Sequence, residues 1–315
     1  FDLFAEDPRQ PGEFGHWRGR GMNANSNCIE CHSTDYRKNF DDERQAYTST
    51  WAEPGVGCET CHGPGAEHVR NPGPGYGPFA KGAPIASFRP RPHTPGVLAV
   101  PPIRVAPASA GQMLDTCATC HSVRRPLASR FRAGESFLDF FEPSLLDERL
   151  YHADGSVAAE AYEWGSFIQS RMHAAGVNCL ACHDVHSGDL RANGNELCLS
   201  CHDQSLSVPG HTGHLNNSPG SECVSCHMPE KVFMVKDRRR DHALRIPDAI
   251  LAKEIGEPSA CEACHADLGR DKLAEAAAKL WPELQKEPLA TRRRVARAFA
   301  AAKTGNREAA TTIRE

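Results

Sequence analysis

Long apolar runs are absent from this chain of 315 residues, and none is long enough for a helix to cross a bilayer. We therefore predict no membrane span. The formal net charge is only -4, with 36 basic and 40 acidic residues, so neither nucleic acid nor an anionic membrane surface is an expected partner. The chain opens at Phe1 without a start Met or a signal-peptide pattern, and we expect a mature chain or a fragment.

Aromatic side chains are scarce as well, at 7% of the residues, whereas Gly and Pro number 26 and 23. The hydrophobic fraction is 40%. A conventional core in a chain of this length would be richer in large apolar side chains. We therefore expect that something other than side chains fills much of the interior.

Cysteine never occurs alone: all 14 Cys lie in Cys-x-x-Cys pairs, and a His directly follows each pair. Zinc ribbons also use such pairs, but they need pairs of pairs, and seven is an odd number. A disulfide framework explains an even number of Cys but not the His. The seven units are Cys28-Cys31-His32, Cys58-Cys61-His62, Cys117-Cys120-His121, Cys179-Cys182-His183, Cys198-Cys201-His202, Cys223-Cys226-His227 and Cys261-Cys264-His265.

Covalent heme attachment explains every part of this unit. Two thiols three residues apart reach the two vinyl groups of one porphyrin and form thioether bonds, and the adjacent His becomes the proximal ligand of the iron. We therefore predict seven covalently attached heme c groups, with the His of each unit as a metal ligand. Heme of this type is attached outside the cytoplasm, and the Cys-rich composition agrees. The expected location is periplasmic or extracellular.

Nine His remain outside the units, and they are candidates for the distal iron positions. Seven irons with two His ligands each would need seven of them, while Met, the usual substitute, occurs only 5 times. His16 and His93 are the weakest candidates, and His93 lies in a Pro-rich stretch. The predicted distal ligands are His68, His152, His173, His186, His211, His214 and His242.

The spacing of the units predicts closely packed hemes. The fourth, fifth and sixth units begin at Cys179, Cys198 and Cys223, only 19 and 25 residues apart, which leaves no room for an independent domain between them. Residues 71–107 are rich in Pro and Gly and predict an irregular loop. Most of the aromatic residues of segment 133–169 are expected to pack against porphyrin faces.

The predicted fold is mainly α with much irregular structure: a multiheme cytochrome c fold organised around seven hemes, with short helices and long loops. Residues 267–280 and 291–303 are Ala-rich with helical periodicity and predict a C-terminal antiparallel helix pair. We therefore predict a heptaheme domain over 1–266 and a helical element over 267–315, which is the expected start of a helical repeat.

Stretches within and between the units resemble the multiheme cytochromes linked to tetratricopeptide-type repeats, within the wider group of hydroxylamine oxidoreductase and pentaheme nitrite reductase. The stretches are NCIECHST at 27–34, CETCHGPG at 58–65 with His68, YHADG at 151–155, GSFIQS at 165–170, CHMP at 226–229 and RRDH at 239–242. The resemblance implies that His68, His173, His186, His214 and His242 are distal ligands. It also implies parallel and perpendicular heme pairs in alternation, and a natural protein with more sequence at both ends.

Three functions agree with this pattern. The first is electron transfer between redox protein partners through seven closely spaced, mostly bis-His hemes. The second is a reductase or oxidase of a small nitrogen or sulfur compound at one open heme, with Tyr151, His152, Tyr162 and Arg171 as candidate pocket residues. The third is a homo-oligomer or filament that acts as an extracellular cytochrome wire, in which His16 would ligate a heme of the next subunit.

Overall fold

The computed structural model describes residues 8–13, 16, 18–72, 107–144, 146–233, 237–285, 289–306 and 309. His93 and nearly all of the predicted loop over 71–107 lie outside these residues. The described chain forms two compact units, the first of residues 8–72 and 107–144 and the second within 146–309. Both are mainly helical with much irregular structure, as predicted. Among the described residues, no helix is both long and apolar enough to cross a membrane.

The first unit consists of short helices and two-stranded antiparallel sheets. Its helices are α1 (Ala24–Asn27), α2 (Cys58–His62), α3 (Ala66–Arg70), α4 (Pro107–His121) and α5 (Phe137–Phe140), with a 3-10 turn at Arg20–Met22. The sheets pair β1 (Ser33–Thr34) with β4 (Glu53–Pro54), β2 (Phe40–Asp41) with β3 (Ala46–Tyr47), and β5 (Arg124–Pro126) with β6 (Phe141–Pro143).

The core of the first unit is small and lies beside the end of α4. Phe137 and Ala118 are fully buried, and the Phe137 and Phe141 rings stack at 5.3 Å. The Arg124 guanidinium lies 4.0 Å from the centre of the Phe141 ring, a cation–π contact that also covers this edge. These residues fix the chain directly after the third Cys-x-x-Cys-His unit, which ends α4.

The second unit contains nine helices among its described residues. They are α6 (Tyr162–Phe167), α7 (Arg171–Ala174), α8 (Asn195–Leu199), α9 (Pro209–Thr212), α10 (Cys223–His227), α11 (Ala249–Ile255), α12 (Glu262–His265), α13 (Gly269–Leu280) and α14 (Leu289–Lys303). The 3-10 turns are Cys179–Ala181, Gln204–Ser207, Pro219–Ser221, Ala266–Leu268 and Pro282–Gln285. Strand β7 (His183–Asp184) pairs with β8 (Asp189–Leu190), and β9 (Glu230–Phe233) pairs with β10 (Asp237–Arg240), both antiparallel.

The C-terminal helices α13 and α14 lie close to the predicted positions, and both pack against α11. Ala249 of α11 is buried with Leu273 and Ala277 of α13, and Cys261 and Trp281 pack against this cluster. The antiparallel pairing of the two helices and a domain boundary after residue 266 stay predictions. In the structure α13 and α14 belong to the same compact unit as the last four Cys-x-x-Cys-His units.

A buried ion pair attaches α14 to the start of α11. Arg293 Nε and Nη2 each donate to a carboxylate oxygen of Asp248 at 2.7 Å, and the two side chains are only 8% and 2% exposed. Asp248 also caps α11, since its Oδ1 accepts from the backbone N–H of Leu251 at 3.0 Å. One carboxylate therefore begins α11 and holds α14 against it.

Candidate heme centres

Four helices end on the His of a Cys-x-x-Cys-His unit: α2, α4, α10 and α12. One helical turn places residues three apart on the same face, so both thiols point to the same side and the His follows at the helix end. The first unit follows α1 directly, and the fourth lies on the 3-10 turn that precedes β7. The fifth spans the end of α8.

None of the thiols of these units is fully buried. All 14 Cys lie in the described part of the chain, where none is buried or forms a disulfide, and Cys28, Cys58, Cys61 and Cys264 are exposed. Free Cys is ordinarily among the most buried residue types. Fourteen thiols that are exposed or only partly buried fit sites of covalent attachment, which places each sulfur against the porphyrin.

Thiols of successive units lie near one another in the second unit of the fold. Burial, with a further contribution from neighbouring Cys223, raises the pKa of the Cys198 thiol to about 11. Burial and then the neighbouring Cys261 raise the pKa of Cys226. A thioether sulfur does not titrate, so these pKa values do not apply to the heme protein. The contacts behind them show instead that the fifth, sixth and seventh attachment sites are adjacent.

The first unit of the fold shows the same proximity. The thiols of Cys31 and Cys120, from the first and third attachment sites, are hydrogen-bonded, which raises the pKa of Cys31 and lowers that of Cys120 to about 6. Burial, followed by the nearby Cys120, raises the pKa of Cys61 in the second site. The three attachment sites of this unit therefore surround one small region.

Three of the motif His each lie near a second His ring, and the distance between the ring centres is nearly the same in all three pairs. The pairs are His183 with His242 (6.4 Å between ring centres, planes inclined by 24°), His227 with His211 (6.2 Å, 9°) and His265 with His214 (5.9 Å, 27°). Direct packing would bring atoms to about 3.5–4 Å. Two imidazoles bonded to one metal through nitrogen at about 2.0–2.1 Å have ring centres roughly 6 Å apart. The spacing thus fits an iron between each pair.

Backbone carbonyls orient several of these rings. A ligating His generally donates its second ring N–H to an acceptor, which fixes the tautomer and leaves the other nitrogen for the metal. The structure shows this contact at Nδ1 of four His, which leaves Nε2 for iron. The acceptors are the carbonyl of Thr212 for His214 (2.7 Å), of Arg240 for His242 (2.9 Å), of Arg245 for His227 (2.7 Å) and of Ile168 for His173 (3.2 Å).

One tight turn carries two of the paired His. His211 lies on α9, which ends at Gly213 with φ +69°, and His214 follows. Trp281, after α13, donates its Nε1–H to the carbonyl of His211 at 2.7 Å. A Cβ at Gly213 would lie only 3.1 Å from the Trp281 ring, so the indole covers the turn. The C-terminal helices thereby position His211 and His214.

Gly220 makes room for the His214 ring. A Cβ at this position would lie 2.5 Å from His214 Cγ and 2.8 Å from its Nε2, closer than side chains can approach. The ring therefore rests directly on the backbone of the Pro219–Ser221 turn. Together with the Nδ1 contact to Thr212, this leaves His214 little freedom to rotate.

His152 differs from the other His in its acceptor. Its Nδ1 contacts the carboxylate of Glu257, and its side chain is 19% exposed. Burial lowers the pKa of His152, and the negative charge of Glu257 opposes this change. Its Nε2 is buried and has no hydrogen-bond partner among the described residues.

The other candidate pocket residues differ in how deeply they are buried. Tyr151 is buried in an apolar cluster with Val157, Ala161 and Phe233, and burial raises the pKa of its phenol to about 12. Tyr162 and Arg171 are exposed, the first at 40%. The four candidate residues therefore do not share one environment.

The remaining predicted ligands lie on exposed elements or beside a heme unit. His68 is on α3, and His186 is in the turn between β7 and β8; both are exposed. His16 is half-buried and its Nδ1 accepts from the backbone N–H of Arg18 at 3.0 Å. Among the motif His, His202 of the fifth unit lies near His227 of the sixth. Burial, followed by the charge of His227, lowers the pKa of His202. The roles of His16, His68 and His186 as ligands stay predictions.

Comparison with known proteins agrees with this chemistry. Residues 15–63 match the family model described as cytochrome c554 and c-prime, and residues 173–206 match the doubled CXXCH motif. The structure is similar to the crystal structure of the outer cell wall cytochrome OcwA, with a TM-score of 0.53 and 15% sequence identity over 91% of this chain and 73% of that one. No curated protein matches the chain.

The chain is therefore a multiheme c-type cytochrome that binds heme c covalently. Its fold is similar to that of OcwA, and its first two heme units lie in the segment that matches the cytochrome c554 and c-prime family. The fourth and fifth units together form the doubled CXXCH segment.

Proposed function

We propose that this protein transfers electrons through seven closely spaced heme c groups. The first unit of the fold would hold three of them and the second unit four. Most of the irons would have two His ligands. The seven Cys pairs would hold the hemes, and the seven motif His would be the proximal ligands. Heme iron supplies a one-electron couple between its ferrous and ferric states.

The observation that carries this proposal is the set of three His–His pairs at 5.9 to 6.4 Å. An iron with two axial His has no open position for a substrate, which favours relay over catalysis. We accordingly assign His242, His211 and His214 as distal ligands of the fourth, sixth and seventh hemes.

Four distal positions remain, and we propose that His68, His152, His173 and His186 occupy them. His173 has the best support, because its Nδ1 contacts the carbonyl of Ile168 and its Nε2 stays available for iron. His68 and His186 are supported by the resemblance described above. The assignment of His152 rests on the number of His in the sequence alone.

The proximity of the attachment sites supports fast transfer within each unit. Cys31 and Cys120 are hydrogen-bonded, and Cys198 and Cys223 are also in contact, although each pair joins two different heme units. Attachment through such neighbouring sulfurs brings the edges of successive hemes close together. Short gaps of this kind are what electron tunnelling requires.

We further propose a periplasmic or extracellular location, with redox proteins as electron donor and acceptor. The structurally similar OcwA is described as an outer cell wall cytochrome, which supports this location. Membership of the tetratricopeptide-linked family and assembly into a homo-oligomer or filament stay predictions.

The spin state of the oxidised holoprotein tests the proposal. Electron paramagnetic resonance should show low-spin ferric heme with no high-spin signal, and nitrite, hydroxylamine or sulfite should leave the spectrum unchanged. A His211→Ala variant provides the positive control, because it should open one iron and create a high-spin signal. A high-spin signal in the wild-type protein that shifts with one of these compounds would contradict the relay and favour a reductase or oxidase.

A further inference from the structure

The segment 240–245 contacts the proposed ligands of two different hemes. Within it, the Arg240 carbonyl accepts from Nδ1 of His242 at 2.9 Å, and the Arg245 carbonyl accepts from Nδ1 of His227 at 2.7 Å. His242 is the distal ligand proposed for the fourth heme, and His227 is the proximal ligand proposed for the sixth. Such a contact fixes the tautomer and the orientation of a ligating imidazole. The path of these six residues therefore decides how both rings face their irons.

Asp241 fixes the first half of this segment. Its Oδ1 accepts from the backbone N–H of Ala243 at 2.8 Å, which closes a tight turn around His242. Its Oδ2 accepts from the backbone N–H of Val157 at 3.0 Å, which ties the turn to a buried residue far away in the sequence. Asp241 is only 5% exposed, and its own backbone N–H donates to the Pro229 carbonyl at 3.0 Å. The carboxylate therefore holds the turn in which His242 lies.

The second half of the segment brings the chain back to His227. Leu244 has φ +46°, a left-handed conformation that is unfavourable for a bulky residue and persists only where the surrounding contacts enforce it. The N–H of Arg245 then donates to the His227 carbonyl at 3.2 Å, while the Arg245 carbonyl accepts from the His227 ring. Because two contacts join the same two residues, a displacement of Arg245 also displaces the acceptor of the His227 Nδ1–H.

The Arg245 side chain anchors this end of the segment in the interior. Its guanidinium donates to the Asp154 backbone carbonyl and, at 2.7 Å, to Oε1 of Gln169. Val157, the partner of the carboxylate at the other end, belongs to the same stretch of chain, residues 154–169. Both ends of the segment are therefore attached to one neighbouring stretch, and we expect them to shift together when either attachment is lost.

The two carbonyl contacts bear on the reduction potentials of both hemes. An imidazole that donates its second N–H to an acceptor is a stronger electron donor to the metal than one without an acceptor. A stronger donor stabilises ferric iron and lowers the reduction potential. Loosening the segment should therefore raise the potentials of both hemes.

We propose that Asp241 is a positioning residue that couples the fourth and sixth hemes, because the segment it fixes orients the distal ligand of one and the proximal ligand of the other. The fifth Cys-x-x-Cys-His unit lies between the fourth and the sixth in the sequence, so the coupling passes over the intervening heme unit. This inference rests on the proposed electron-transfer function. It deepens that function by identifying two hemes whose potentials are set together.

Asp241→Asn in the holoprotein tests the inference, with reduction potentials and electron paramagnetic resonance as readouts. Asparagine keeps the size of the side chain but replaces one acceptor oxygen with a donor, so one of the two contacts to a backbone N–H is lost. Two reduction steps should move to higher potential, and two low-spin ferric signals should shift, because the g values of a bis-His heme depend on the orientation of its imidazole rings. Asp237→Asn is the matched control on β10: its side chain is 53% exposed and pairs with Arg239 at 2.8 Å, and neither readout should change.

Two ligand variants identify the signals that should shift. His242→Ala and His211→Ala should each convert one low-spin heme to high-spin, the fourth and the sixth respectively. A shift of only one of these two signals in Asp241→Asn, or of neither, would overturn the inference and leave the proposed relay intact. If Asp241→Asn does not fold, Arg245→Lys keeps the positive charge but lacks the planar fork that reaches both acceptors, and the same two signals should shift. Absence of high-spin heme in both ligand variants would instead contradict the ligand assignments of the proposed function.

Discussion

Trp281 joins the C-terminal helices to the turn that carries His211 and His214, so substitution of this one residue should affect two hemes. Trp281→Phe removes the indole N–H that donates to the His211 carbonyl. A hydrogen bond of this kind contributes about 1 kcal/mol. Trp281→Ala also removes the ring from the buried α11–α13 cluster. Full truncation of a buried Trp costs about 3–5 kcal/mol, and since Trp281 is only partly buried we expect about 2–3 kcal/mol.

These free energies translate into the fraction of irons that have lost the distal His. A change of about 1.4 kcal/mol alters an equilibrium tenfold. If the indole stabilises only the closed turn, the open fraction should rise about fivefold in Trp281→Phe and about 30- to 150-fold in Trp281→Ala. The sixth and seventh hemes should respond together, because their proposed ligands lie in the same turn.

Carbon monoxide binding measures this open fraction. The ligand can bind reduced iron only after the distal His has left, so the initial binding rate follows the open population. Trp51→Phe is the control, because Trp51 is 44% exposed and lies in the first unit. Binding rates equal to wild type in Trp281→Ala, with a clear loss of thermal stability, would show that Trp281 supports the fold but not the ligands.

Three further predictions follow from the packing and the cofactor. Gly220→Ala should displace the His214 ring and give high-spin heme in absorption spectra. Gly210→Ala is the control, because a Cβ at Gly210 would meet no atom within 4 Å and the spectrum should not change. Equal spectra for the two variants would contradict the close contact at Gly220. Arg293→Met should leave the buried Asp248 carboxylate unpaired and lower the free energy of unfolding by about 3–5 kcal/mol in denaturant titrations, and a loss below about 1 kcal/mol would refute a buried pair. A heme-free chain with every motif Cys replaced by Ser should lack cooperative thermal unfolding by circular dichroism, and a sharp transition would contradict a heme-dependent core.

Local sequence patterns predicted the features that depend on local chemistry. The Cys-x-x-Cys-His spacing indicated covalent heme c, in agreement with the family matches. Ala-rich periodicity placed the last two helices within about two residues of α13 and α14. The low aromatic content anticipated a sparse core: in the part of the chain that the structure describes, Phe137 and Leu251 are the only large apolar residues among the largest fully buried side chains.

Local sequence patterns could not predict which of these elements pack together or which His residues pair. Periodicity predicts that α13 is a helix but not that it packs on α11, because packing depends on residues far away in the sequence. His183 lies near His242 only because the chain folds back through β9 and β10, and no motif encodes that path. The spacing of the motifs therefore predicts how many His ligands are needed, but not which distal His lies opposite which motif His.

The supporting residues gave no sequence signal. Trp281 follows an ordinary amphipathic helix, and Gly220 lies in a Pro-Gly-Ser turn that resembles any loop. Their roles arise from contacts with the His211–His214 turn that exist only in the folded chain. Glu257 likewise follows the end of α11 and would be taken for a surface carboxylate without the structure.

A coulometric redox titration of the purified holoprotein tests the central claim most directly. Seven hemes with closed irons should accept seven electrons per chain from a reductant and return the same number to an oxidant, with no continuing consumption of electrons when nitrite, hydroxylamine or sulfite is present. Fewer than seven electrons per chain, or sustained turnover with any of these compounds, would contradict a seven-heme relay.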